Sequence, residues 1–252
     1  ISSKDIFKTM YSSGTSGFQS KINLDKDTSI RQIKALKKIF RPYLGSNRHP
    51  MIIVDNLKDL KNQKEFNAKK AAISGFSMFG KDYFYLLDKK NNIDFESLRI
   101  FLNKYKNEKI LIFGFTEKIF EIFYKKNLLY NKNISFKNSI LLHGGGWKKL
   151  EKFKISNSKF KKEISKKYNF DKIINYYGMI EQTGSIFIEC ESCGAFKTSC
   201  FSDVYIRDIN FNIKDYGKGL LQLYSVLPSS YPGHNIITED EGEILKDNCK
   251  SC

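Results

Sequence analysis

The sequence Y-S-S-G-T-S-G-F-Q-S-K occupies residues 11–21 and is the most informative stretch of the chain. Glycine lets the backbone come close to a bound group, and the hydroxyl and N–H groups of such a loop can surround an anion. Lys21 at its end adds a positive charge suited to phosphate. The spacing is not that of a Walker A loop. The pattern predicts a phosphate-binding loop, with a flexible polar linker as the alternative.

Composition limits the classes of protein to consider. The 252 residues are 41% hydrophobic, which is enough for one large globular domain or two small ones. The net charge of +16 is spread along the chain, which favours a solvated surface over a nucleic-acid interface. The longest apolar runs, such as residues 110–115, are too short to cross a bilayer, and no signal peptide opens the sequence. Cysteines in C-x-x-C pairs favour a reducing compartment, so we expect a cytoplasmic protein.

Apolar strands alternate with amphipathic helices along most of the chain. The predicted strands are residues 51–54, 83–87, 110–115, 139–142 and 172–176. The first predicted helix is capped at Asp27 or Thr28 and ends before Pro42, and its apolar positions at helical spacing are Ile30, Ile33, Leu36 and Phe40. After residue 185 short strands follow one another at 186–189, 204–207, 220–227 and 242–245. This pattern predicts a doubly wound α/β part in residues 1–185 and a β-rich part in residues 186–252.

Three later segments lie where ligands bind in such a sheet, at or beyond strand ends. The first is H-G-G-G-W-K-K-L at 143–150, whose glycines Gly144, Gly145 and Gly146 would let a flat base lie on bare backbone. A lipase oxyanion loop is excluded because no serine has the G-x-S-x-G context. The others are N-Y-Y-G-M-I-E at 175–181 and P-S-S-Y-P-G-H-N-I-I-T-E-D-E-G at 228–242.

The four segments resemble, in order, the motifs of the adenylate-forming enzymes, which activate carboxylic acids with ATP. The resemblance implies that the loop binds the ATP phosphates, that Lys21 and Glu181 are catalytic, and that Glu181 holds Mg²⁺. Asp240 would bind the ribose. Ile180 departs from the threonine of most relatives. The implied nucleotide-binding residues are Ser12, Ser13, Gly14, Thr15, Ser16, Gly17, Gly144, Gly145, Gly146, Tyr177, Gly178 and Asp240.

Within that superfamily the sequence most resembles the LuxE family, the acyl-protein synthetases of fatty-acid reductase systems. This implies a large adenylation domain, a fatty or related acid as substrate, acyl transfer to a protein thiol, and an acyl reductase as partner. The family is longer at both ends, so we expect a fragment without the small mobile carboxy-terminal domain. The acyl-accepting cysteine lies in that missing region, and we assign its role to none of the cysteines here. Alternatives are a phenylacetate–CoA-ligase-like enzyme and a non-catalytic nucleotide- or zinc-binding module.

The cysteines pose a separate question. C-E-S-C-G and C-K-S-C place Cys190, Cys193, Cys249 and Cys252 in two pairs with zinc-ligand spacing. If the pairs meet in space they form a structural Zn²⁺ site, with Cys200 outside it. Buried free thiols are the alternative.

Overall fold

The computed structural model describes residues 1–12, 19–57, 67–246 and 249–251. Its residues group into two units. The first unit comprises Ile1–Gly45, Phe66–Ala68 and Gly178–Cys252, and the second comprises Ser46–Glu65 and Lys69–Tyr177. The domain boundary predicted at residue 185 stays a prediction.

The described part of the chain contains the following regular elements. The strands are β1 (Lys8–Tyr11), β2 (Lys21–Leu24), β3 (His49–Asn56), β4 (Gly80–Leu87), β5 (Ile110–Phe115), β6 (Ser139–Gly144), β7 (Lys172–Tyr177), β8 (Phe187–Glu189), β9 (Phe196–Lys197), β10 (Ser202–Arg207), β11 (Ile213–Lys214), β12 (Gly217–Ser225) and β13 (Asn235–Ile244). The helices are α1 (Lys26–Leu44), α2 (Ala68–Phe76), α3 (Phe95–Lys104), α4 (Thr116–Ile119) and α5 (Asn157–Tyr168). A π-helical stretch, Phe120–Lys125, continues α4, and 3-10 turns occur at Ser3–Asp5, Ser77–Phe79, Tyr130–Lys132, Lys148–Phe153 and Ile180–Gln182.

The second unit is built on five parallel strands in the order β4-β3-β5-β6-β7. Both faces of the sheet are covered, which is why the strands are almost continuously apolar. On one face Ile112 and Leu141 pack with Phe123 and Phe160 of the helical layer. On the other, the Phe76 ring of α2 lies 4.7 Å from Phe113. The predicted parallel α/β architecture is confirmed.

The strand order contains one topological switch. From β3 the chain passes to β4 on one side, and then crosses to β5 on the other side of β3. The connections leave β3 and β5 in opposite directions, and the carboxyl ends of strands at such a switch are where open α/β sheets bind ligands.

The first unit is mainly antiparallel. Strands β1 and β2 form a hairpin, and β11-β10-β12-β13 form a four-stranded sheet. Strand β8 pairs with β9 in a second hairpin. The expectation of a β-rich region toward the carboxyl end is therefore confirmed as architecture. Among the described residues, none of the helices has the length and apolar character to cross a membrane.

Helix α1 differs from its prediction at both ends. Asp25 caps it, with its Oδ1 accepting from the Thr28 N–H at 2.7 Å. The helix passes through Pro42 and ends at Leu44, followed by Gly45 at φ 74°. Proline removes one N–H donor but does not end this helix, and the stop comes at a glycine, which readily takes a positive φ.

The predicted apolar face of α1 is confirmed at Leu36 and Phe40, which are buried, and is wrong at Ile30 and Ile33. Ile30 and Ile33 are 39% and 43% exposed, whereas Thr28 and Gln32 are buried. The reason is tertiary: both polar side chains hydrogen-bond to a segment about two hundred residues later in the chain. Helical periodicity of apolar residues carries no information about such partners.

Candidate functional site

The 11–21 segment is the connection of the β1–β2 hairpin. Tyr11 pairs with Lys21, and the Ser12 N–H donates to the Ser20 carbonyl at 3.0 Å. The Ser20 N–H donates in return to the Ser12 Oγ at 2.8 Å. Two paired strands thus hold the ends of the loop together, and Lys21 is exposed at the start of β2. The predicted phosphate-binding residues Ser13, Gly14, Thr15, Ser16 and Gly17 lie outside the described residues.

The predicted adenine-side turn follows β6 in the second unit. A Cβ on Gly144 would lie 2.6 Å from the Tyr176 carbonyl oxygen, so this position requires glycine. Gly145 has φ 82°, a conformation that glycine adopts without strain. A Cβ on Gly146 would meet nothing within 4 Å. Of the three glycines, Gly146 therefore presents bare backbone to open space, whereas a Cβ on Gly145 would lie 3.2 Å from the Phe115 ring.

His143 secures this turn from behind. Its Nδ1 lies 3.0 Å from the Oγ1 of Thr116, the first residue of α4 directly after β5, and its ring packs edge-on against Phe160 at 5.4 Å. Burial, with a smaller effect from Lys161, lowers the pKa of His143 to about 3. The imidazole is neutral at physiological pH and acts as a structural link between β5 and β6.

The N-Y-Y-G-M-I-E segment spans the boundary between the units along the sequence. Tyr177 ends β7 in the second unit, and Gly178 begins the part that belongs to the first. A Cβ on Gly178 would lie 2.5 Å from the Ile186 side chain, so glycine is needed here for packing. Glu181 is half-buried on the turn Ile180–Gln182.

A buried glutamine, which the sequence analysis missed, fixes the position of Glu181. The Gln182 Nε2 donates to the carbonyls of Leu223 at 3.0 Å and Gly233 at 2.9 Å. Gly184, at φ 89°, approaches α1 so closely that a Cβ would lie 2.9 Å from the Gln32 backbone. The turn that carries Glu181 is thus anchored on two sides within the first unit.

The segment 228–235 connects that turn to the hairpin. Ser230 donates to the Asn23 carbonyl of β2 at 3.1 Å, and Tyr231 accepts from Gln32 at 3.3 Å. Burial raises the pKa of Tyr231, and the nearby Glu181 carboxylate raises it further. Strand β2, which begins at Lys21, and the turn with Glu181 therefore contact the same short segment.

Asp240 lies inside β13, which begins at Asn235, earlier than the predicted strand 242–245. Gln222 pairs with Ile237 and Leu220 with Glu241, so residues 238–240 stand opposite Leu221 alone. Thr238 closes this bulge: its Oγ1 donates to the Leu221 carbonyl and accepts from the Asp240 N–H, both at 3.1 Å. Bulges re-aim side chains, and Asp240 is exposed here.

Three of the four cysteines in the two pairs meet in space. The Sγ atoms of Cys190, Cys193 and Cys249 all lie within 4.8 Å of one another, and those of Cys190 and Cys249 are 3.9 Å apart. Ligands of tetrahedral zinc with Zn–S bonds of about 2.3 Å are separated by roughly 3.8 Å, so the donor set fits. Cys200 lies outside this group, as expected, and Cys252 is outside the described residues.

Solved structures share this fold. The N-terminal domain of FACL13 from Mycobacterium tuberculosis matches with a TM-score of 0.62 at 13% identity, over 94% of this chain and 57% of that chain. The amide bond synthetase McbA from Marinactinospora thermotolerans matches with a TM-score of 0.64 at 12% identity, over 97% and 48%. The o-succinylbenzoate CoA synthetase MenE from Bacillus subtilis matches with a TM-score of 0.61 at 16% identity, over 98% and 48%.

These neighbours are adenylate-forming enzymes, so the chain has the α/β fold of that class. It spans about half the length of each of the three. No curated protein sequence matches it. The family described as "Acyl-protein synthetase, LuxE" matches residues 1–252, and the chain belongs to this family.

Proposed function

We propose that the protein activates a fatty or related carboxylic acid with ATP to acyl-AMP and transfers the acyl group to a protein thiol. The observation that carries the proposal lies within the first unit. Strand β2, which starts at Lys21, and the turn bearing Glu181 are both tied to residues 228–235. A phosphate-binding lysine and a Mg²⁺-binding carboxylate must be fixed in one framework if they are to act on the same triphosphate.

The proposed first step is attack of a carboxylate oxygen on the α-phosphorus of ATP. The bond from that phosphorus to the bridging oxygen breaks, and pyrophosphate leaves. Lys21 and the loop hydroxyls bind the phosphates and offset the negative charge that develops on them. Glu181, a half-buried carboxylate and so a suitable ligand for Mg²⁺, would hold this cation, which would supply further positive charge at the phosphates. In the second step a thiol loses its proton to solvent and its sulfur attacks the acyl carbon, the bond from that carbon to the phosphate oxygen breaks, and AMP departs.

We assign the rest of the nucleotide to three further positions. Gly144, Gly145 and Gly146 provide the bare backbone on which adenine lies, and Tyr177 packs on the base. Gly178 allows the close turn that follows. Asp240, exposed on its bulge, accepts hydrogen bonds from the ribose hydroxyls. The conversion to products rests mainly on positioning and electrostatics, without a covalent protein intermediate in the first step.

Cys190, Cys193 and Cys249, with Cys252 as the fourth ligand, are proposed to bind a structural Zn²⁺ ion. The support is the convergence of three thiols from two distant segments. The ion would join the β8–β9 hairpin to the carboxy-terminal pair of cysteines. We place the protein in the cytoplasm, where these thiols stay reduced, and take an acyl reductase as its partner.

Two other functions have specific support. A neighbour described as a CoA synthetase bound with OSB-NCoA favours coenzyme A as the thiol, as in a phenylacetate–CoA-ligase-like enzyme. Ile180, where most adenylate-forming enzymes carry threonine, and the convergence of three thiols favour a non-catalytic nucleotide- and zinc-binding module.

One experiment separates these functions. The protein is incubated with ATP, Mg²⁺ and labelled acids of different chain length, with and without coenzyme A, while pyrophosphate is measured. Pyrophosphate release with label retained on protein supports the acyl-protein synthetase, and label on coenzyme A supports the ligase. Nucleotide binding without pyrophosphate release for any acid would leave the module as the function.

A further inference from the structure

The positive charge of the chain has one dense stretch, in the second unit. Nine of the twenty residues 148–167 are lysine, whereas the whole chain of 252 residues has 43 lysines and arginines. Part of this stretch is α5, whose apolar residues are buried. Its exposed side carries Lys159, Lys162 and Lys166. Their spacing of three and four residues places them on one side of the helix, so α5 presents a row of lysines to solvent.

Neighbouring elements extend this row into a surface. The Lys167 Nζ donates to the Asn127 Oδ1 at 2.9 Å and lies 5.3 Å from the centre of the Tyr124 ring, which joins α5 to the π-helical stretch. Lys125 ends that stretch, and its Nζ lies 4.1 Å from the centre of the Phe153 ring. We call the result the lysine surface. Its eight lysines are Lys125, Lys126, Lys152, Lys154, Lys159, Lys162, Lys166 and Lys167.

The lysine surface has an excess of positive charge. It includes three glutamates, of which Glu121 pairs with Lys126 at 2.6 Å and Glu151 pairs with Lys154 at 2.8 Å. The third is Glu163 of α5. Eight lysines and three glutamates leave five positive charges in excess. The three exposed lysines of α5 make no ion pair with any residue that the structure describes, so their charge is available to a partner.

Two apolar side chains are exposed among these lysines. Phe153 is 39% exposed, and the ammonium groups of Lys125 and Lys152 both lie over its ring. Leu128 is 37% exposed and directly follows the residue that binds Lys167. Apolar side chains surrounded by lysines are typical of a surface that lies on a membrane. The apolar groups enter the headgroup region, and the lysines meet anionic headgroups.

Residue types distinguish a lipid surface from other anionic partners. The segments that form the lysine surface, residues 120–128 and 151–167, contain no arginine. Protein interfaces are enriched in arginine and depleted of lysine, so an acidic protein fits this composition less well. A nucleic-acid duplex offers phosphates to the lysines but no apolar layer to Phe153 and Leu128. An anionic bilayer offers both.

We propose that the lysine surface binds membranes that contain anionic lipids, with Phe153 and Leu128 in the headgroup region. The inference does not depend on the proposed reaction, because neither Lys21 nor Glu181 belongs to this surface. It would hold an enzyme of fatty acids at the layer into which such acids partition, since each buried methylene group favours transfer out of water.

Sedimentation with vesicles of phosphatidylcholine, alone or with about one-third phosphatidylglycerol, tests the inference. The wild-type protein should bind the anionic vesicles about tenfold more tightly than the neutral ones. About 0.5 M NaCl should remove most of this difference, because salt screens exposed charges. The triple variant Lys159→Gln, Lys162→Gln, Lys166→Gln should lose affinity for anionic vesicles by a factor on the order of ten to a hundred.

The matched control is the triple variant Lys34→Gln, Lys37→Gln, Arg41→Gln. These residues have the same spacing on the exposed side of α1, in the first unit, so the control removes the same charge from another helix. Its affinity for anionic vesicles should change by less than about twofold. Circular dichroism verifies that both variants fold, and glutamine retains a good helix propensity.

Phe153→Trp reports on contact with the lipid itself. On addition of anionic vesicles its tryptophan emission should shift to shorter wavelengths, because the ring leaves water for the headgroup region. The wild-type protein, with Trp147 as its one tryptophan, gives the background signal.

Equal binding of the wild-type protein to both kinds of vesicle, or equal losses in the two triple variants, would overturn the inference. An unshifted emission of bound Phe153→Trp would contradict insertion of this side chain. A DNA duplex or poly-glutamate that binds more tightly than the anionic vesicles at the same salt concentration, and loses this binding in the α5 variant, would assign the surface to a nucleic acid or an acidic protein instead.

Discussion

The Nε2 of the buried Gln182 donates a hydrogen bond to the Gly233 carbonyl at 2.9 Å. This bond joins the turn carrying Glu181 to residues 228–235, the segment that also contacts β2. A second bond from the same Nε2 reaches the Leu223 carbonyl of β12 at 3.0 Å. One amide thus holds three parts of the first unit in register. The geometry proposed for phosphate and Mg²⁺ binding depends on this link.

We predict that Gln182→Ala lowers the free energy of unfolding by about 2–3 kcal/mol, because two buried carbonyl groups lose their donor. Urea denaturation followed by circular dichroism measures the change. Gln19→Ala is the control: its amide donates to the Ser12 carbonyl at an exposed site, so its loss should cost well under 1 kcal/mol. Equal effects of the two substitutions would contradict the role assigned to Gln182.

Lys21→Ala should weaken ATP more than AMP, because AMP lacks the β- and γ-phosphates that the lysine is proposed to contact. A lost charge-assisted bond of roughly 1.5–3 kcal/mol corresponds to a decrease in ATP affinity on the order of tenfold or more. Equilibrium titration with both nucleotides provides the measurement. Lys26→Ala, an exposed lysine at the start of α1, should change neither affinity. An equal loss for ATP and AMP would argue against Lys21 as a phosphate ligand.

Glu181→Gln should reduce turnover and raise the Mg²⁺ concentration needed for half-maximal pyrophosphate release, because the neutral amide is a weaker ligand for a hard cation. The fold should be retained, since the anchoring bonds of this turn come from Gln182. A Mg²⁺ titration of pyrophosphate release at saturating ATP tests this. An unchanged Mg²⁺ dependence would show that Glu181 is only a surface acid.

Asp240→Ala should weaken ATP and AMP alike, because the two nucleotides carry the same ribose. Each charge-assisted hydrogen bond lost is worth roughly 1.5–3 kcal/mol, so affinity should fall about tenfold or more. Glu239→Ala is a matched control, since Glu239 is the exposed acid next to Asp240 on the same bulge. If Glu239→Ala weakens both nucleotides as much as Asp240→Ala does, the effect is general electrostatics rather than ribose binding.

Protein purified without chelator should contain about one Zn²⁺ per chain, with Cys190, Cys193, Cys249 and Cys252 as ligands. Metal analysis measures the stoichiometry. Cys193→Ser should lower the zinc content and the melting temperature together, whereas Cys200→Ser should leave both unchanged because Cys200 lies outside the cluster. The hypothesis would be wrong if wild-type protein without bound zinc has the same melting temperature as wild-type protein incubated with zinc.

The parallel sheet was predictable from sequence because its signal is local. A strand buried on both faces must be apolar along its length, and residues 110–113 show this without reference to any partner. The H-G-G-G turn was predictable for the same reason. Close approach of neighbouring backbone requires glycine at Gly144, and a positive φ favours glycine at Gly145. The residue types at these two positions therefore already indicate the turn.

Tertiary structure alone decided the features that depend on distant partners. Thr28 and Gln32 are buried on α1, where they hydrogen-bond to Ser229 and Tyr231. The bulge at Asp240 is likewise set by strand pairing, since residues 238–240 stand opposite Leu221 alone. The meeting of Cys190 with Cys249, and of Asp55 with Lys118, likewise joins segments about sixty residues apart. Hydrogen bonds and ion pairs between such segments leave no periodic pattern in either one, so only the folded chain shows which polar residues find each other.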